Sequence, residues 1–355
     1  MPSEYSASVA KVPAVDGGRD LASNLARLVE RQFGPGARMK GLERLSGGAS
    51  QELWSFDVEI GDPEGGGHLR PLILRRNPDG SVKRDTAAGM EAEARLMVLA
   101  RQAGAPVPQV EYVLSPQDEM GSGFIMERIP GETLARKLLR DEAYATARSR
   151  LARQLGEAAA LIHRIAPTEA GPLRRTTVES SLDQAYAAYR ANGSSRPVVE
   201  WAFRWLRENR PQTDAPACVV HGDMRNGNII VGPEGLRAVL DWEVVHLGDP
   251  MEDLGWMCVT SWRFGEIDRP VGGFGPREAL FAGYEAVSGR PVDAARVRFW
   301  EVMGVLRWGM SCAMMAGEFQ RGDRSVEKAA IGRRTSETAI DLLAMLAPRQ
   351  GQSHA

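Results

Sequence analysis

Apolar residues recur at helical spacing near the start of the chain, and a strand-like pattern then replaces that spacing. Between residues 20 and 33, Leu21, Leu25, Leu28 and Val29 share one face of a predicted helix. Short apolar runs bounded by glycine and proline follow and predict strands, with one further helical segment among them. The strand segments are 41–58 (two strands around a Gly-Gly turn), 71–76, 109–114 and 123–128, and the helix is 87–103. We therefore predict an antiparallel sheet with one packed helix in this part of the chain.

From residue 134 onward the spacing of apolar positions is mostly helical. The periodic segments are 141–165, 180–190, 197–208, 277–287, 293–316 and 325–346. Strand-like runs interrupt this pattern between residues 218 and 241. The C-terminal part of the chain is therefore predicted to be mainly α-helical and to carry a β-hairpin.

Polar residues are concentrated around that hairpin, in the segment HGDMRNGNIIVGPEGLRAVLDWE. Asn228 opens a β-branched strand, residues 232–235 have the composition of a turn, and a second apolar run ends at Asp241. If the turn is centred between Glu234 and Gly235, Asn228 lies opposite Asp241. Cross-strand neighbours are about 4.5–5.5 Å apart at Cβ. An amide oxygen and a carboxylate at that separation can share one hard cation.

The side chains of this segment suit a site for Mg²⁺ and phosphate. Mg²⁺ takes a few protein oxygens and leaves its other positions to waters and substrate phosphates. Asp223 lies just upstream of the first strand, where it can orient a substrate hydroxyl beside a metal-bound phosphate without being a metal ligand. The alternative is an ordinary hairpin with turn acids and one N-cap aspartate. The spacing H-G-D-x-x-x-x-N, followed by a strand that ends in D-W-E, favours the functional interpretation.

Length and charge bound the class of protein. The chain of 355 residues is long enough for two domains with separate cores. We expect a mobile tail at 1–18, an N-terminal nucleotide-binding lobe at 19–127 and a C-terminal catalytic and substrate-binding lobe at 128–355. Lys and Arg total 44 and Asp and Glu total 46, so the net charge is −2. This balance gives no reason to expect nucleic-acid or membrane partners, and the sequence gives no indication of the oligomeric state.

Cysteine usage and the first residues predict a cytoplasmic protein. The three cysteines, Cys218, Cys258 and Cys312, are an odd number in apolar surroundings, as expected of reduced core residues. The N-terminal residues lack the apolar segment of a signal peptide. The apolar segment 299–319 contains charged residues, so it is predicted to be a buried helix and not a membrane span.

The motifs HGDMRNGN, LDWE and LGDPMEDLGW resemble those of the aminoglycoside phosphotransferase and choline kinase group of protein-kinase-like small-molecule kinases. This resemblance implies an α+β, bilobal protein-kinase-like fold with an antiparallel sheet and a helix in the N-lobe and a mainly α-helical C-lobe. It implies that Asp223 is the catalytic base and that Asn228 and Asp241 bind Mg²⁺. His221 occupies a position that is usually structural in the family.

The resemblance also implies which groups bind the nucleotide phosphates. In the segment LSGGAS, Gly47 and Gly48 would let the backbone approach closely, and the amides through Ser50 would point at phosphate oxygens. The family places a lysine on the strand that ends PLILRR; here Arg75 is the best match and Arg76 is its neighbour. Side chains alternate along a strand, so only one of the two arginines points inward. Arginine remains a good phosphate donor.

Two further nucleotide-binding assignments follow from the resemblance. The family's lysine–glutamate ion pair implies that Glu93 is the partner of the strand arginine, with Glu91 as the alternative. The segment FIMERIPGETL resembles the hinge between the lobes, where backbone groups near Met126, Glu127 and Arg128 would hold the adenine. The implied donor is ATP, with GTP as the alternative.

A helix start is predicted just after the second strand of this region. In the segment GDPMED, Asp249 would be the N-cap, Pro250 the first helical residue and Glu252 the returning partner of a capping box. Only a few residues separate Asp241 from this helix, so there is no room for the long activation loop of protein kinases. We therefore expect a small-molecule substrate.

The expected activity is that of an ATP-dependent kinase that phosphorylates a hydroxyl of a small molecule. Aminoglycosides are polycations and need several carboxylates, whereas Glu301 and Glu318 are the only acidic residues in the segment 299–319. The segments LILRRNPDG and MERIPGETL also resemble the phosphotransferase domains associated with acyl-CoA dehydrogenases. A hydroxyacyl compound is therefore the leading acceptor, and an aminoglycoside or other antibiotic is the alternative. A nucleotide-binding module without turnover is a second alternative, supported only by the arginine in place of the family's lysine.

Overall fold

The computed structural model describes residues 17–45, 51–61, 67–78, 87–191, 195–212 and 216–347. The chain divides into two compact units. One contains the residues up to 102 together with 107–130, and the other contains 103–106 together with the residues from 131 onward. Within the described ranges, no helix has both the length and the apolar character needed to cross a membrane.

The N-terminal unit is built on one antiparallel sheet. Its strands are β1 (Arg38–Leu45), β2 (Glu52–Gly61), β3 (Gly67–Asn77), β4 (Val110–Val113) and β5 (Ser122–Glu127), and its helices are α1 (Gly17–Phe33) and α2 (Met90–Gln102). The strand order is β1-β2-β3-β5-β4, with antiparallel pairing between all neighbours. The five strands and two helices coincide closely with the segments that the apolar pattern predicts.

The apolar face of α1 forms a core with the sheet. Leu25 and Leu28 are almost fully buried in one cluster with Phe56, Leu72 and Ile125 from three different strands. Each such side chain contributes about 1.5–3 kcal/mol through burial. This core fixes the sheet, and with it the direction in which the two arginines at the end of β3 project.

The C-terminal unit is mainly α-helical, as predicted. Its helices are α3 (Ala135–Arg140), α4 (Ala145–His163), α5 (Val178–Ala191), α6 (Pro197–Glu208), α7 (Met251–Met257), α8 (Arg277–Ser288), α9 (Ala294–Gln320), α10 (Val326–Gly332) and α11 (Thr335–Leu346). Two short antiparallel ribbons lie between α6 and α7. They pair β6 (Cys218–Val220) with β9 (His246–Gly248), and β7 (Ile229–Gly232) with β8 (Gly235–Val239).

Close backbone contact joins α4 to α8. A Cβ atom at position 156 would lie 2.0 Å from the carbonyl oxygen of Leu280, so only glycine allows this approach.

The prediction of a single helix over 325–346 is wrong, because the structure has two helices, α10 and α11, in this range. The Thr335 hydroxyl donates a hydrogen bond to the Gly332 carbonyl at 2.7 Å, which holds the chain in the turn between the two helices.

The hairpin of β7 and β8 has a different register from the predicted one. Gly232 pairs with Gly235, and a bulge then shifts the pairing so that Ile229 lies opposite Val239. The Leu240 amide accordingly donates to the Asn228 carbonyl at 2.8 Å. The predicted placement of Asn228 directly opposite Asp241 is therefore wrong, because the turn is one residue earlier than assumed and the bulge adds an unpaired residue.

The start of α7 has only one of the two interactions of the predicted capping box. Asp249 accepts a hydrogen bond from the Met251 amide at 2.9 Å, as a capping residue does. The Glu252 carboxylate does not return to the cap, because it bonds His246 Nε2 at 3.2 Å and Arg307 at 2.6 Å. Burial alone would raise the pKa of Glu252, but His246 and Arg307 lower it to about 2.

Candidate active site

Asp223 lies in the loop that leaves β6, and a buried carboxylate on α7 fixes that loop. The backbone amides of His221 and Gly222 each donate to Asp253 at 2.8 Å. The Asp253 side chain is fully buried, and its second partner is His163 Nε2 at 3.0 Å. Burial alone would raise the pKa of Asp253, but the hydrogen bonds from His163 and the loop backbone hold it below its usual value.

His163, the last residue of α4, supports the Asp253 carboxylate. Its Nδ1 atom lies 3.0 Å from the Tyr284 hydroxyl, so the imidazole connects α8 to Asp253. Gly222 has a φ of +83°, a conformation that favours glycine, and the next residue is thereby turned away from the strand direction. The outcome is a rigid platform for Asp223 built from α4, α7 and α8.

Three side chains hold the Asp223 carboxylate in place. Its Oδ1 accepts from Arg225 Nε at 2.9 Å and from Trp256 Nε1 at 2.8 Å. Its Oδ2 accepts from Asn228 Nδ2 at 2.6 Å. Burial raises the pKa of Asp223 above its usual value; Arg225 opposes this shift, and the nearby charge of Asp241 adds to it. A fixed carboxylate with a raised pKa suits a group that accepts a proton from a hydroxyl.

His221 does not contact the carboxylate through its side chain. The ring is fully buried, packs edge-on against Trp242 with ring centroids 4.9 Å apart, and accepts the Asp223 backbone N–H at its Nδ1 atom, 3.2 Å away. Burial lowers the pKa of His221, which keeps the ring neutral. These contacts fit the structural role that was expected of it.

Asn228 and Asp241 supply oxygen atoms of the kind that Mg²⁺ prefers. The Asn228 amide nitrogen faces Asp223, with its second contact to the Asp223 carbonyl at 3.0 Å, so the amide oxygen is the atom left for a cation. Asp241, two residues after the end of β8, has a left-handed φ of +65°, and its charge acts on both Asp223 and His221. In the described ranges there is no cluster of three or more His, Cys, Asp or Glu residues able to hold a metal. One amide and one carboxylate therefore fit a metal that takes its other ligands from water and phosphate.

In the N-terminal unit, the arginine predicted to contact the nucleotide phosphates lies against Glu93, the residue expected to pair with it. Arg75 and Glu93 are both buried and form an ion pair at 3.1 Å. Arg76 projects to the opposite face of β3, where it binds Glu52 at 2.8 Å and the Met120 carbonyl at 3.1 Å. Glu91 is exposed on α2.

The other residues assigned to nucleotide binding lie in the glycine-rich segment and in the predicted hinge. Gly47, Gly48 and Ser50 lie outside the described residues. In the segment predicted to be the hinge, Met126 is buried in β5, and the sheet already uses the backbone amides of Glu127 and Arg128, which donate to Gln109 at 2.8 Å and to Pro71 at 3.0 Å. The Arg128 side chain binds Asp57 at 2.6 Å. An adenine at this hinge would need backbone groups other than those two amides.

Several residues around Asp223 were not among the sequence-based candidates. Arg225 and Trp256 bind its carboxylate directly. Asn226 is buried and donates to the Trp262 carbonyl at 2.9 Å, which ties the loop to the segment after α7. Arg225 and Asn226 stand inside the HGDMRNGN motif, so their position was a usable signal. Asp253 and Trp256 stand inside the motif LGDPMEDLGW, so their position was also a usable signal, although their contacts with the loop form only through the packing of α7.

The fold and the side chains around Asp223 define a protein-kinase-like phosphotransferase. The sequence model of the phosphotransferase enzyme family matches residues 41–299, and the chain belongs to this family. The fold is the predicted α+β, protein-kinase-like one. In the comparisons that follow, identities under 25% show likeness of fold alone.

A mouse (Mus musculus) protein, acyl-CoA dehydrogenase family member 10, is 31% identical over 246 residues, which cover 63% of this chain and 22% of the mouse protein. The chain thus matches only about a fifth of that relative's length. A crystal structure of a putative aminoglycoside phosphotransferase from Ralstonia eutropha has a TM-score of 0.69 at 20% identity and covers 91% of this chain and 97% of its own. A mutant of aminoglycoside phosphotransferase APH(4)-Ia, in a ternary complex with AMP-PNP and hygromycin B, has a TM-score of 0.60 at 17% identity, with coverages of 92% and 100%.

Proposed function

We propose that this protein transfers the γ-phosphoryl group of ATP to a hydroxyl of a small molecule. The observation that carries the proposal is the fixed Asp223 carboxylate, bonded to Asn228 at 2.6 Å and close to Asp241. The acceptor O–H proton passes to Asp223 while the new O–P bond forms, the bond from the γ-phosphorus to its bridging oxygen breaks, and ADP leaves. Mg²⁺, when bound by Asn228 and Asp241, neutralises phosphate charge.

Arg75 and its ion-pair partner supply the proposed contact to the donor phosphates. Glu93 holds the guanidinium in a fixed position, so little side-chain entropy is lost when a phosphate binds. The fold's likeness to an aminoglycoside phosphotransferase solved with AMP-PNP supports ATP as the donor. The arginine in place of lysine retains the positive charge that this position needs.

The acceptor that we propose is a partly apolar hydroxylated metabolite, with a hydroxyacyl compound as the leading candidate. The similarity to a relative named for acyl-CoA dehydrogenases supports an acyl-type acceptor. Both acidic residues of the segment 299–319 are already engaged. Glu301 is fully buried and binds Arg263 at 2.9 Å and Arg277 at 2.7 Å, and Glu318 binds Lys328 at 2.7 Å. Glu301 is therefore closed to an acceptor, and the partly exposed Glu318 alone does not match the several charges of a polycation.

An aminoglycoside or other antibiotic is the second candidate, and the likeness of fold to a phosphotransferase solved with hygromycin B favours it. Transfer of radiolabelled γ-phosphate to a panel of 4-hydroxyacyl thioesters and kanamycin-type aminoglycosides separates the two. Label should pass to the hydroxyacyl compounds, only with Mg²⁺ present, and Asp223→Asn should slow it ~10²–10⁴-fold. Efficient labelling of the aminoglycosides alone, with kcat/KM at or above ~10⁴ M⁻¹s⁻¹, would overturn the acceptor assignment. ATP turnover with no transfer to any acceptor would overturn the proposed function.

A further inference from the structure

Four titratable side chains lie together next to the ribbon of β6 and β9. They come from four segments of the C-terminal unit: His246 in β9, Glu252 on α7, Arg307 on α9 and Arg174 ahead of α5. The Glu252 carboxylate bonds His246 Nε2 at 3.2 Å and Arg307 at 2.6 Å. Arg174 is held beside them by its backbone, because its carbonyl accepts from the Leu247 amide at 2.8 Å. We call these four residues the Glu252 cluster.

The Glu252 cluster holds more positive than negative charge. Glu252 is its one carboxylate, whereas Arg174 and Arg307 both carry a guanidinium that stays charged. Burial lowers the pKa of Arg174 and the charge of Arg307 lowers it further, while Glu252 acts in the opposite direction. Two like charges are therefore held close together around a single carboxylate, and a second anion would relieve their repulsion.

Both arginines have donors that an anion from solvent can reach. Arg174 is half-buried, and in the described part of the chain Nε is its only nitrogen that is buried without a hydrogen-bond partner. The two Nη atoms of Arg174 are therefore the ones that a ligand meets. The Arg307 side chain is 33% exposed and uses one nitrogen for Glu252. The remaining N–H groups of the two residues can donate to one anion.

A second arginine-rich cluster shows that an excess of positive charge alone does not mark a ligand site. The buried Glu301 carboxylate binds Arg263 at 2.9 Å and Arg277 at 2.7 Å. Arg298 lies 3.6 Å from the same carboxylate and donates to a backbone carbonyl at 2.6 Å. Each of these three guanidinium groups has a partner within the protein. The Arg174 guanidinium has no hydrogen-bond partner among the residues that the structure describes.

The Glu252 cluster lies close to the loop that carries Asp223. A Cβ atom at position 222 would lie 3.4 Å from His246 Cε1, so the residue before Asp223 lies next to the imidazole that bonds Glu252. An acceptor whose hydroxyl lies at Asp223 can therefore extend a second polar group to the cluster across a short spacer.

We propose that Arg174 and Arg307 bind an anionic group of the acceptor, either a carboxylate or a phosphate. This inference rests on the proposed function and adds the charge of the acceptor to it. The hydroxyl lies at Asp223, and the anionic group accepts charge-assisted hydrogen bonds from both arginines. A carboxylate would be that of a free hydroxy acid, and a phosphate would be that of the coenzyme A part of a hydroxyacyl thioester. The same positive charges disfavour a cationic acceptor.

The test compares charged acceptors with neutral counterparts. One pair is 4-hydroxypentanoate and its primary amide, and the other is the 4-hydroxypentanoyl thioester of coenzyme A and that of N-acetylcysteamine. We would measure kcat and KM for wild-type protein, Arg174→Gln, Arg174→Lys and Arg175→Gln. Arg175 is a matched control, because it is the adjacent residue, is exposed, and loses the same charge on substitution. Thermal unfolding of each variant identifies any that has lost its fold, and the wild-type comparison needs no variant.

In wild-type protein, the charged member of a pair should have a kcat/KM roughly 10- to 100-fold above that of its neutral counterpart, mainly through KM. A preference within the first pair identifies a carboxylate, and a preference within the second pair identifies a phosphate. Arg174→Gln should reduce the preference to less than about threefold while the neutral acceptor changes little. Arg174→Lys should keep part of the preference, and Arg175→Gln should keep all of it.

Two results would overturn the inference and leave the proposed function standing. One is phosphorylation with equal kcat/KM within both pairs in wild-type protein. The other is a preference of the same size in folded Arg174→Gln and Arg175→Gln. Absence of Asp223-dependent phosphorylation of every acceptor would overturn both the inference and the proposed function.

Discussion

At the scale of single residues, the properties of Asp223 come from its neighbours and not from its own chemistry. Burial raises its pKa, and Arg225, Trp256 and Asn228 orient both of its oxygens. The sequence motif was sufficient to select Asp223, Asn228 and Asp241 as candidates, because the residue types and spacing are those that phosphoryl transfer needs. It was not sufficient to show how the carboxylate is held, since Trp256 is far along the chain.

The two arginines at the end of β3 should have different effects on nucleotide binding. Arg75→Ala should weaken ATP binding or slow transfer roughly 10- to 100-fold, the value of one or two charge-assisted hydrogen bonds. Arg76→Ala should weaken ATP binding far less, because Arg76 binds Glu52 and Met120 on the other face of the strand. Arg75→Lys should retain part of the activity. The measurement is the Kd for AMP-PNP together with kcat, and a larger loss in Arg76→Ala than in Arg75→Ala would contradict the assignment.

Removal of the proposed metal ligands should act through Mg²⁺. Asp241→Ala should abolish Mg²⁺-dependent turnover, and Asn228→Ala should raise the Mg²⁺ concentration needed for half-maximal rate. The reason is that each residue offers one oxygen of a site whose other ligands are phosphate and water. Titration of the rate with MgCl₂ checks both variants. Undiminished wild-type activity in excess EDTA would show that no metal takes part.

At the scale of structural elements, the loop that carries Asp223 depends on helices that are distant in sequence. Asp253 on α7 binds two loop amides and connects through His163 to α4 and α8. The sequence predicted these helices but not this contact, because the motif LGDPMEDLGW contains Asp253 without indicating which groups its carboxylate binds. The register of the hairpin was also predicted wrongly. The bulge before Val231 shifts the strand pairing, and the alternation of apolar residues in the sequence does not show it.

Asp253→Ala should destabilise the C-terminal unit and disable the loop. It leaves two backbone N–H groups and His163 without their buried partner, which costs about 3–5 kcal/mol. For a unit of this size, about 230 residues, that loss lowers its Tm by roughly 6–20 °C. Glu234→Ala is the control, because Glu234 is an exposed acid in a short-range pair with Arg237. Equal Tm values for the two variants in a thermal melt would show that Asp253 does not support the loop.

Helix α11 carries an acid whose charge opposes folding. Burial raises the pKa of Asp341 to about 6, with Arg263 and Glu337 acting in opposite directions. Because the folded pKa lies above the unfolded value, the stabilising contribution is complete below about pH 4 and is lost as the pH rises through about 6. Asp341→Asn should therefore raise stability at pH 8 by about 1 kcal/mol, allowing for partial exposure, and change it little at pH 4. Tm measured at both values checks this, and a variant that is less stable at pH 8 would contradict it.

At the scale of the whole molecule, the sequence predicted two units and the order of their elements, because apolar periodicity is a local property that each element carries. What it left undetermined is how α7, α8 and α9 converge on the loop, since that depends on packing between segments that are far apart in sequence. Trp256, Trp262 and Trp308 show this: they come from three separate segments, and only the fold brings Trp262 into ring contact with the other two.

The rate of phosphoryl transfer in Asp223→Asn tests the central claim most directly. The substitution keeps the size of the side chain and removes the group that accepts the proton. With an acceptor that wild-type protein phosphorylates, kcat should fall by ~10²–10⁴, the usual contribution of a positioned general base, while the Kd for AMP-PNP stays within about threefold, because Asp223 binds no nucleotide in this account. Turnover within a few-fold of wild type would remove Asp223 from the chemistry and contradict the account.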